Sequence, residues 1–336
     1  MKKSFFLVGS ALLLLACSNK PAQKSVTVYV SEDQVFSEPL LKDFEKSTGI
    51  KVNAIYDTEE SKSTGVMNRL IAEKNNPQAD VYWANEPIRA EVLRQKGILA
   101  PYQSPNAQGI PNNLRNKDYF WTGFSARIRV IIAQKGLSVS PTSIMAYTDT
   151  QFKNKAVIAN PLFGTTTAHM AALATLWGTD KTKQFLESMQ TNKVALATSN
   201  GESADFVAKE SYAFALVDSD DAVSRRKAGK PIEIIYPDQG KDDVGALVVP
   251  NAVMLIHKAP HIKEAKILID YLLSKESEAK LAFADCAQIP LHQGVKMPAL
   301  MKPIEKIKTM NIDFQEVALK MQEIQPILKA WLAKQQ

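Results

Sequence analysis

Phe44-Glu45-Lys46-Ser47-Thr48-Gly49-Ile50-Lys51-Val52 decides the fold. Leu40, Leu41 and Phe44 recur at helical spacing, Gly49 is a C-terminal stop, and Ile50 to Tyr56 has the short, β-rich make-up of a strand. The same unit repeats outward in both directions. Upstream, Val26 to Val30 reads as a strand; downstream come a helix from Thr64 towards Ile71, a strand Ala79 to Ala84, and a helix Pro87 to Gln95 ended by Gly97. Strand-helix alternation of this kind implies right-handed βαβ units and a mostly parallel sheet. Arg127 to Ala133 then opens a second region, with strands Ala156 to Asn160, Val194 to Thr198 and Ala213 to Asp218 between helical stretches. The apolar strand Ala246 to Ile256 reads as the crossing back into the first region, followed by a helix carrying Ala265, Leu268, Ile269 and Leu272. Lys306 to Lys334 reads as terminal amphipathic helices whose stripe of Phe314, Val317, Met321 and Ile324 packs into a core.

The first residues read as an address. Lys2 and Lys3 precede an apolar run from Phe5 to Ala16, too short to stay in a bilayer. The run ends in Leu14-Leu15-Ala16-Cys17, which resembles the bacterial lipobox and implies cleavage before Cys17 and a lipid on its thiol. An ordinary signal peptide or a short anchor helix is the alternative. Ser18 to Lys24 is a polar tether. The rest, 45% hydrophobic and 23% charged over the whole chain, has the make-up of a globular protein. Of two cysteines only Cys286 would remain as a thiol, which excludes an intrachain disulfide and a cysteine metal cluster. The net charge of +6 is scattered, and the one tight basic run, Arg225-Arg226-Lys227, reads as a solvated helix face, so no nucleic-acid partner is expected.

Several stretches in consistent order resemble the ferric-binding-protein-like branch of family 1, type II periplasmic solute-binding proteins. They are Val26 to Tyr29, Phe44 to Val52, Ala79 to Trp83, Gly97 to Pro101, Ser125 to Val130, Gly245 to Val248, Ala265 to Leu273 and Ile289 to Leu291. The resemblance implies an α/β, two-lobed type II fold with hinge strands and a ligand cleft. Its parts would be a signal peptide at 1–16, a lipidated Cys and tether at 17–25, lobe 1 at 26–126 and 246–290, and lobe 2 at 127–245 and 291–336. It further implies a monomeric, exported lipoprotein on the cell membrane or facing the periplasm. That protein would deliver a small solute to ABC permease subunits, with neither cofactor nor resident metal.

In such folds the ligand lies at the carboxyl ends of the strands. That rule selects Ser31, Glu32 and Asp33, then Thr58, Glu59, Ser63 and Thr64, then Asn85 and Glu86, with Asn200 further on. Gly164, Thr165, Thr166 and Thr167 stand between a strand and a helix, where backbone N–H groups and hydroxyls hold an oxyanion or the Thr caps the helix. Arg127 matches the family's anion-contacting Arg; a structural salt bridge is its other reading. Departures matter as much. Asp33 stands where the ferric proteins carry a metal-binding His, Asn85 where they carry Glu, and Asp220-Asp221 where they carry paired Tyr. With Asp218 and Glu86, these carboxylates suit an ammonium group or a hard cation, or else simple solvation or helix capping.

An oxyanion end and an acidic end together predict a small zwitterionic or anionic ligand, phosphonate or phosphate-ester-like. A ferric ion held by oxygen ligands other than Tyr is the alternative. A lipid-anchored hydrolase is a further rival, carried by Ser224-Arg225-Arg226-Lys227 and Lys62-Ser63-Thr64-Gly65, but their order is reversed relative to penicillin-binding-type proteins, so both read as chance matches and no enzyme is expected. A scaffold without a ligand is the last.

Overall fold

The computed structural model describes residues 23–57 and 64–335, so the readings on Cys17, Thr58, Glu59 and Ser63 lie outside the described residues. In chain order the elements are β1 (Ser25–Val30), α1 (Gln34–Thr48), β2 (Lys51–Tyr56), α2 (Thr64–Ala72), β3 (Val81–Ala84), α3 (Ile88–Gln95) and β4 (Leu99–Ala100). There follow β5 (Thr122–Gln134), β6 (Ala156–Ala159), α4 (Gly164–Trp177), α5 (Thr179–Thr191), β7 (Ala195–Ala197), α6 (Asn200–Ala208), β8 (Phe214–Asp218) and α7 (Ser219–Lys227). Last come β9 (Ile232–Ile235), β10 (Val248–Ile256), α8 (Ile262–Leu272), α9 (Lys275–Phe283) and α10 (Phe314–Ala333). Gly49 ends α1 in the left-handed region at φ 70°, its N–H donating to the Glu45 carbonyl, as the sequence stop requires.

Two parallel trios form, β2-β1-β3 and β8-β6-β7, each interleaved with helices. They are joined by two antiparallel strands, giving the order β2-β1-β3-β10-β5-β8-β6-β7, with β4 beside β10 and β9 beside β5. The two trios are linked through β5, which is long enough to serve both. Its residues from Thr122 to Ile128 pair with β10, and those from Arg129 to Gln134 pair with β8 and β9. The two lobes thus share a strand, and β5 is buried along nearly its whole length. Gly123 is required there, because a Cβ at that position would lie 2.3 Å from the Leu114 carbonyl oxygen.

The terminal region is one helix, not several. α10 lays Phe314 edge-on against Trp121 at the start of β5, with ring centroids 5.9 Å apart, and sends the Trp331 indole N–H to the Leu186 carbonyl on α5 at 2.6 Å. It therefore packs on both halves, and each buried aromatic contributes roughly 1.5–3 kcal/mol of transfer free energy. The Arg225 to Lys227 run is not a free basic patch: Arg225 pairs with Asp205 and Asp221, and Arg226 donates to the Ile232 carbonyl. Cys286 is buried, and burial pushes its thiol well above the usual range. No helix among the described residues is long and apolar enough to cross a membrane.

Candidate functional site

Loops following the parallel strands of both halves converge beside the point where β5 passes from one half to the other. In the second half, Asp218 ends β8 and stands before α7. Its carboxylate takes Arg129 Nη1 at 3.0 Å, the Thr165 hydroxyl at 2.8 Å and Asn200 Nδ2 at 3.2 Å. Arg129 is wholly buried and also donates to the Thr165 and Thr166 hydroxyls at 3.0 and 3.1 Å and to the Leu216 carbonyl at 3.2 Å. One guanidinium fork thereby fixes the start of α4, the end of β8 and the strand β5 at once.

Asp218, Asp220 and Asp221 bring one carboxylate oxygen each within 4.8 Å of one another. Two of the three, Asp220 and Asp221, hold a proton more tightly than a free carboxylate. Burial pushes the Asp220 carboxyl up to about 6, Arg127 opposing and Asp218 adding to the effect. Burial and the charges of Asp220 and Asp218 hold the Asp221 carboxyl well above the usual carboxylate range.

α4 begins without a side-chain cap, because its N-cap residue is Phe163. The Thr167 hydroxyl in its first turn is buried with no hydrogen-bond partner among the described residues. His169, one residue beyond Ala168, is fully buried, both ring nitrogens likewise unpartnered, and burial together with Arg129 keeps it neutral. A polar start to a helix, uncapped and beside a guanidinium, attracts anions.

In the first half, Ser31, Glu32, Asp33, Gln34, Val35, Tyr56 and Asp57 line a depression of about 330 Å³, a size suited to a small ligand. Ser31 bonds the Tyr82 hydroxyl at 2.8 Å and the Asp57 carboxylate at 3.2 Å. Glu32 accepts from Gln288 at 2.8 Å and stands 3.6 Å from Arg127, whose other arm donates to the Asn85 carbonyl. Burial works against the Arg127 charge, yet Glu32, Asp220, Asp218 and Asp33 together hold its pKa above the usual value. Those carboxylates come from both halves, so Arg127 is the residue at which the halves meet electrostatically.

The structure gathers Ser31, Glu32, Asp33, Asn85 and Arg127 on one side, and Thr165, Thr166, Asn200, Asp218, Asp220 and Asp221 on the other. Two of the selected residues have partners within the protein. Arg127 makes its contacts with Glu32 and Asn85, and Arg129 is the guanidinium that meets the Gly164 to Thr167 turn. Glu86 is engaged in structure: it caps α3 through the amides of Ile88 and Arg89 and pairs with the Arg89 side chain at 2.8 Å. Thr64 is the first residue of α2. Sequence reasoning missed Arg129 and Gln288. For Arg129 the signal was present, since Arg127 and Arg129 alternate along a strand and so share a face; nothing local marked Gln288.

The chain matches the family model of the bacterial extracellular solute-binding proteins over residues 40–307, and it belongs to that family. It is similar to the iron uptake protein A1 of Synechocystis, 27% identical over 87% of this chain and 87% of the relative. It is also similar to a protein of Salmonella typhimurium named "Putative 2-aminoethylphosphonate-binding periplasmic protein", 28% identical over 81% of this chain and 80% of the relative. Among solved structures, the apo ferric ion-binding protein A of Pasteurella haemolytica superposes with a TM-score of 0.80 at 21% identity, over 92% of this chain and 98% of that one. The two-lobed periplasmic-binding fold is thus shared.

Proposed function

We propose that this protein is the solute-binding component of an ABC importer, and that it takes a small zwitterionic or anionic solute of the phosphonate or phosphate-ester class. The observation carrying this reading is the pairing, around Asp218, of an uncapped helix start with a cluster of carboxylates. The first-turn amides of α4, with the Thr167 hydroxyl, receive the oxyanion, and Asp220 and Asp221 receive an ammonium group. The lobes, 26–126 with 246–290 and 127–245 with 291–336, close over it by a hinge motion. The protein acts as a monomer, held to the membrane by lipid on Cys17, and binds without turnover.

A second reading is favoured by the three carboxylates within 4.8 Å and by the similarity to an iron uptake protein: a ferric ion as cargo, held by carboxylate oxygens. Thermal unfolding with 2-aminoethylphosphonate, a phosphate ester and ferric citrate in parallel separates the two, because a ligand of the native state alone raises Tm. A shift with 2-aminoethylphosphonate or the ester, abolished in Asp220→Asn, supports the zwitterion. Stabilisation by ferric citrate alone refutes it. Mass spectrometry of solute released from purified protein identifies the ligand independently.

A further inference from the structure

β5 carries an irregularity two residues before Arg127. Across the pair with β10, Ala126 stands opposite Pro250 and Phe124 opposite Asn251, so Ser125 is an extra residue, and its φ is 38°. Such bulges bend a strand and re-aim the side chains that follow. A left-handed conformation at a residue with a side chain is held only by its surroundings. Here both peptide groups flanking the bulge are held by buried side chains. The Ser125 N–H donates to Glu278 at 2.8 Å, and its carbonyl accepts from Asn251 Nδ2 at 2.7 Å.

Glu278, on α9, is fully buried. Besides Ser125 it accepts from the Leu291 and His292 amides at 2.8 and 3.0 Å and from His292 Nδ1 at 2.8 Å. The other ring nitrogen, Nε2, lies 3.0 Å from the Asn106 carbonyl. A carbonyl carries no hydrogen, so Nε2 is the donor there. The Glu278 carboxyl oxygens accept three backbone N–H groups, and Nδ1 is the fourth donor directed at them. A ring with hydrogens on both nitrogens is an imidazolium. The charged groups facing it are Glu278, which raises its pKa, and Lys275, which lowers it; burial opposes the charge, and the net shift is upwards.

The clamp reaches the cleft by a second route. Asn251 accepts from the Trp83 indole at 3.1 Å and donates to Gln288 at 2.7 Å, and Gln288 donates to Glu32. Glu32 is the carboxylate beside Arg127, whose field also includes Asp33, Asp218 and Asp220.

We infer that Glu278 and protonated His292 are positioning residues: they hold the Ser125 bulge, and through it they aim Arg127 into the cleft, so that the cleft changes when His292 loses its proton. Nothing in this depends on which solute binds.

The test is a titration of ligand-free, full-chain protein with 15N-labelled histidine and arginine, followed by NMR from pH 5 to 9.5. The His292 ring is assigned by its loss in His292→Gln and the Arg127 Nε by its loss in Arg127→Lys. His292 is expected to stay doubly protonated beyond the free imidazole value of about 6.5, and the Arg127 Nε resonance to move with the same midpoint. Asp220, whose carboxyl is raised to about 6, also acts on Arg127, so the step that belongs to His292 is the one that His292→Gln removes. In Glu278→Gln the His292 midpoint falls. An Arg127 resonance unmoved through the His292 titration, or a His292 midpoint at or below the free value, overturns the proposal. Both readings come from the wild-type protein, so the test survives a Glu278 variant that fails to fold.

Discussion

Replacing Asp220 by Asn should make the ligand-free protein more stable at neutral pH, although it removes a residue of the proposed site. The Asp220 carboxyl is raised from 3.8 in the unfolded chain to about 6 in the folded one. The folded state therefore binds the proton more tightly. The contribution of this group to stability is most favourable below pH 3.8, falls as the pH rises, and is lost by about pH 6. A shift of this size corresponds to roughly 3 kcal/mol; because the side chain is only half-buried and water screens it, about 1–2 kcal/mol should survive. Urea unfolding of wild type and Asp220→Asn at pH 4 and pH 7.5 measures it. Other carboxylates change stability with pH in both proteins alike, so the informative quantity is the difference between them. That difference should move by about 1–2 kcal/mol in favour of the variant between the two pH values. A difference that stays constant, or that moves against the variant, would refute the reasoning that burial, reinforced by Asp218, raises the Asp220 carboxyl.

Three further outcomes follow from the packing. Gly123→Ala drives a Cβ into the Leu114 carbonyl and should cost about 1–3 kcal/mol or more, read as a lowered urea midpoint with an unchanged slope. Trp331→Phe leaves the Leu186 carbonyl without its indole donor and should cost about 1–3 kcal/mol in the same assay. For His292, whose folded pKa is raised, the stabilisation relative to His292→Gln is fully present below about pH 6.5. It should disappear as the pH rises through the folded value, and unfolding at pH 6 and pH 9 checks it.

The elements were legible in the sequence where a local pattern met a local stop. Gly49 behind Phe44 gave the end of α1, and the β-rich runs of β1, β2, β6 and β8 were found within a residue or two of their limits. What was hidden is what depends on pairing over long range. The sharing of β5 between lobes leaves no local trace, because a buried strand reads the same whichever neighbours it has. Half of the site was equally open to reading. Asp218, Asp220, Thr165 and Asn200 stand at the end of a strand or in the first turn of the helix that follows, where polar residues stand out. The rest consists of residues in the interior of strands, Arg129 on β5 and Asn251 on β10, or in an irregular segment, Gln288. Their positions become functional only when chain segments far apart in sequence are brought together.

Arg129 is the residue on which the second half of the site rests, and its removal should be felt in both fold and chemistry. It is fully buried and serves four oxygens, those of Thr165, Thr166, Asp218 and Leu216. Lys in its place carries one nitrogen and no fork, so Arg129→Lys keeps the charge but abandons most of the geometry. Arg129→Met removes the charge and leaves Asp218 buried without its guanidinium partner, which should cost about 3–5 kcal/mol. Adding Asp218→Asn to Arg129→Met removes the stranded charge, so the double variant should be more stable than Arg129→Met alone, with a coupling energy of about 1–3 kcal/mol in a double-mutant cycle. Simple loss of packing would leave the two substitutions additive, and additivity within about 0.5 kcal/mol would show that the pair is not coupled. Since Asp218 is what joins the carboxylate cluster to the start of α4, the same cycle measures how strongly the two proposed ends of the ligand site are tied to one another.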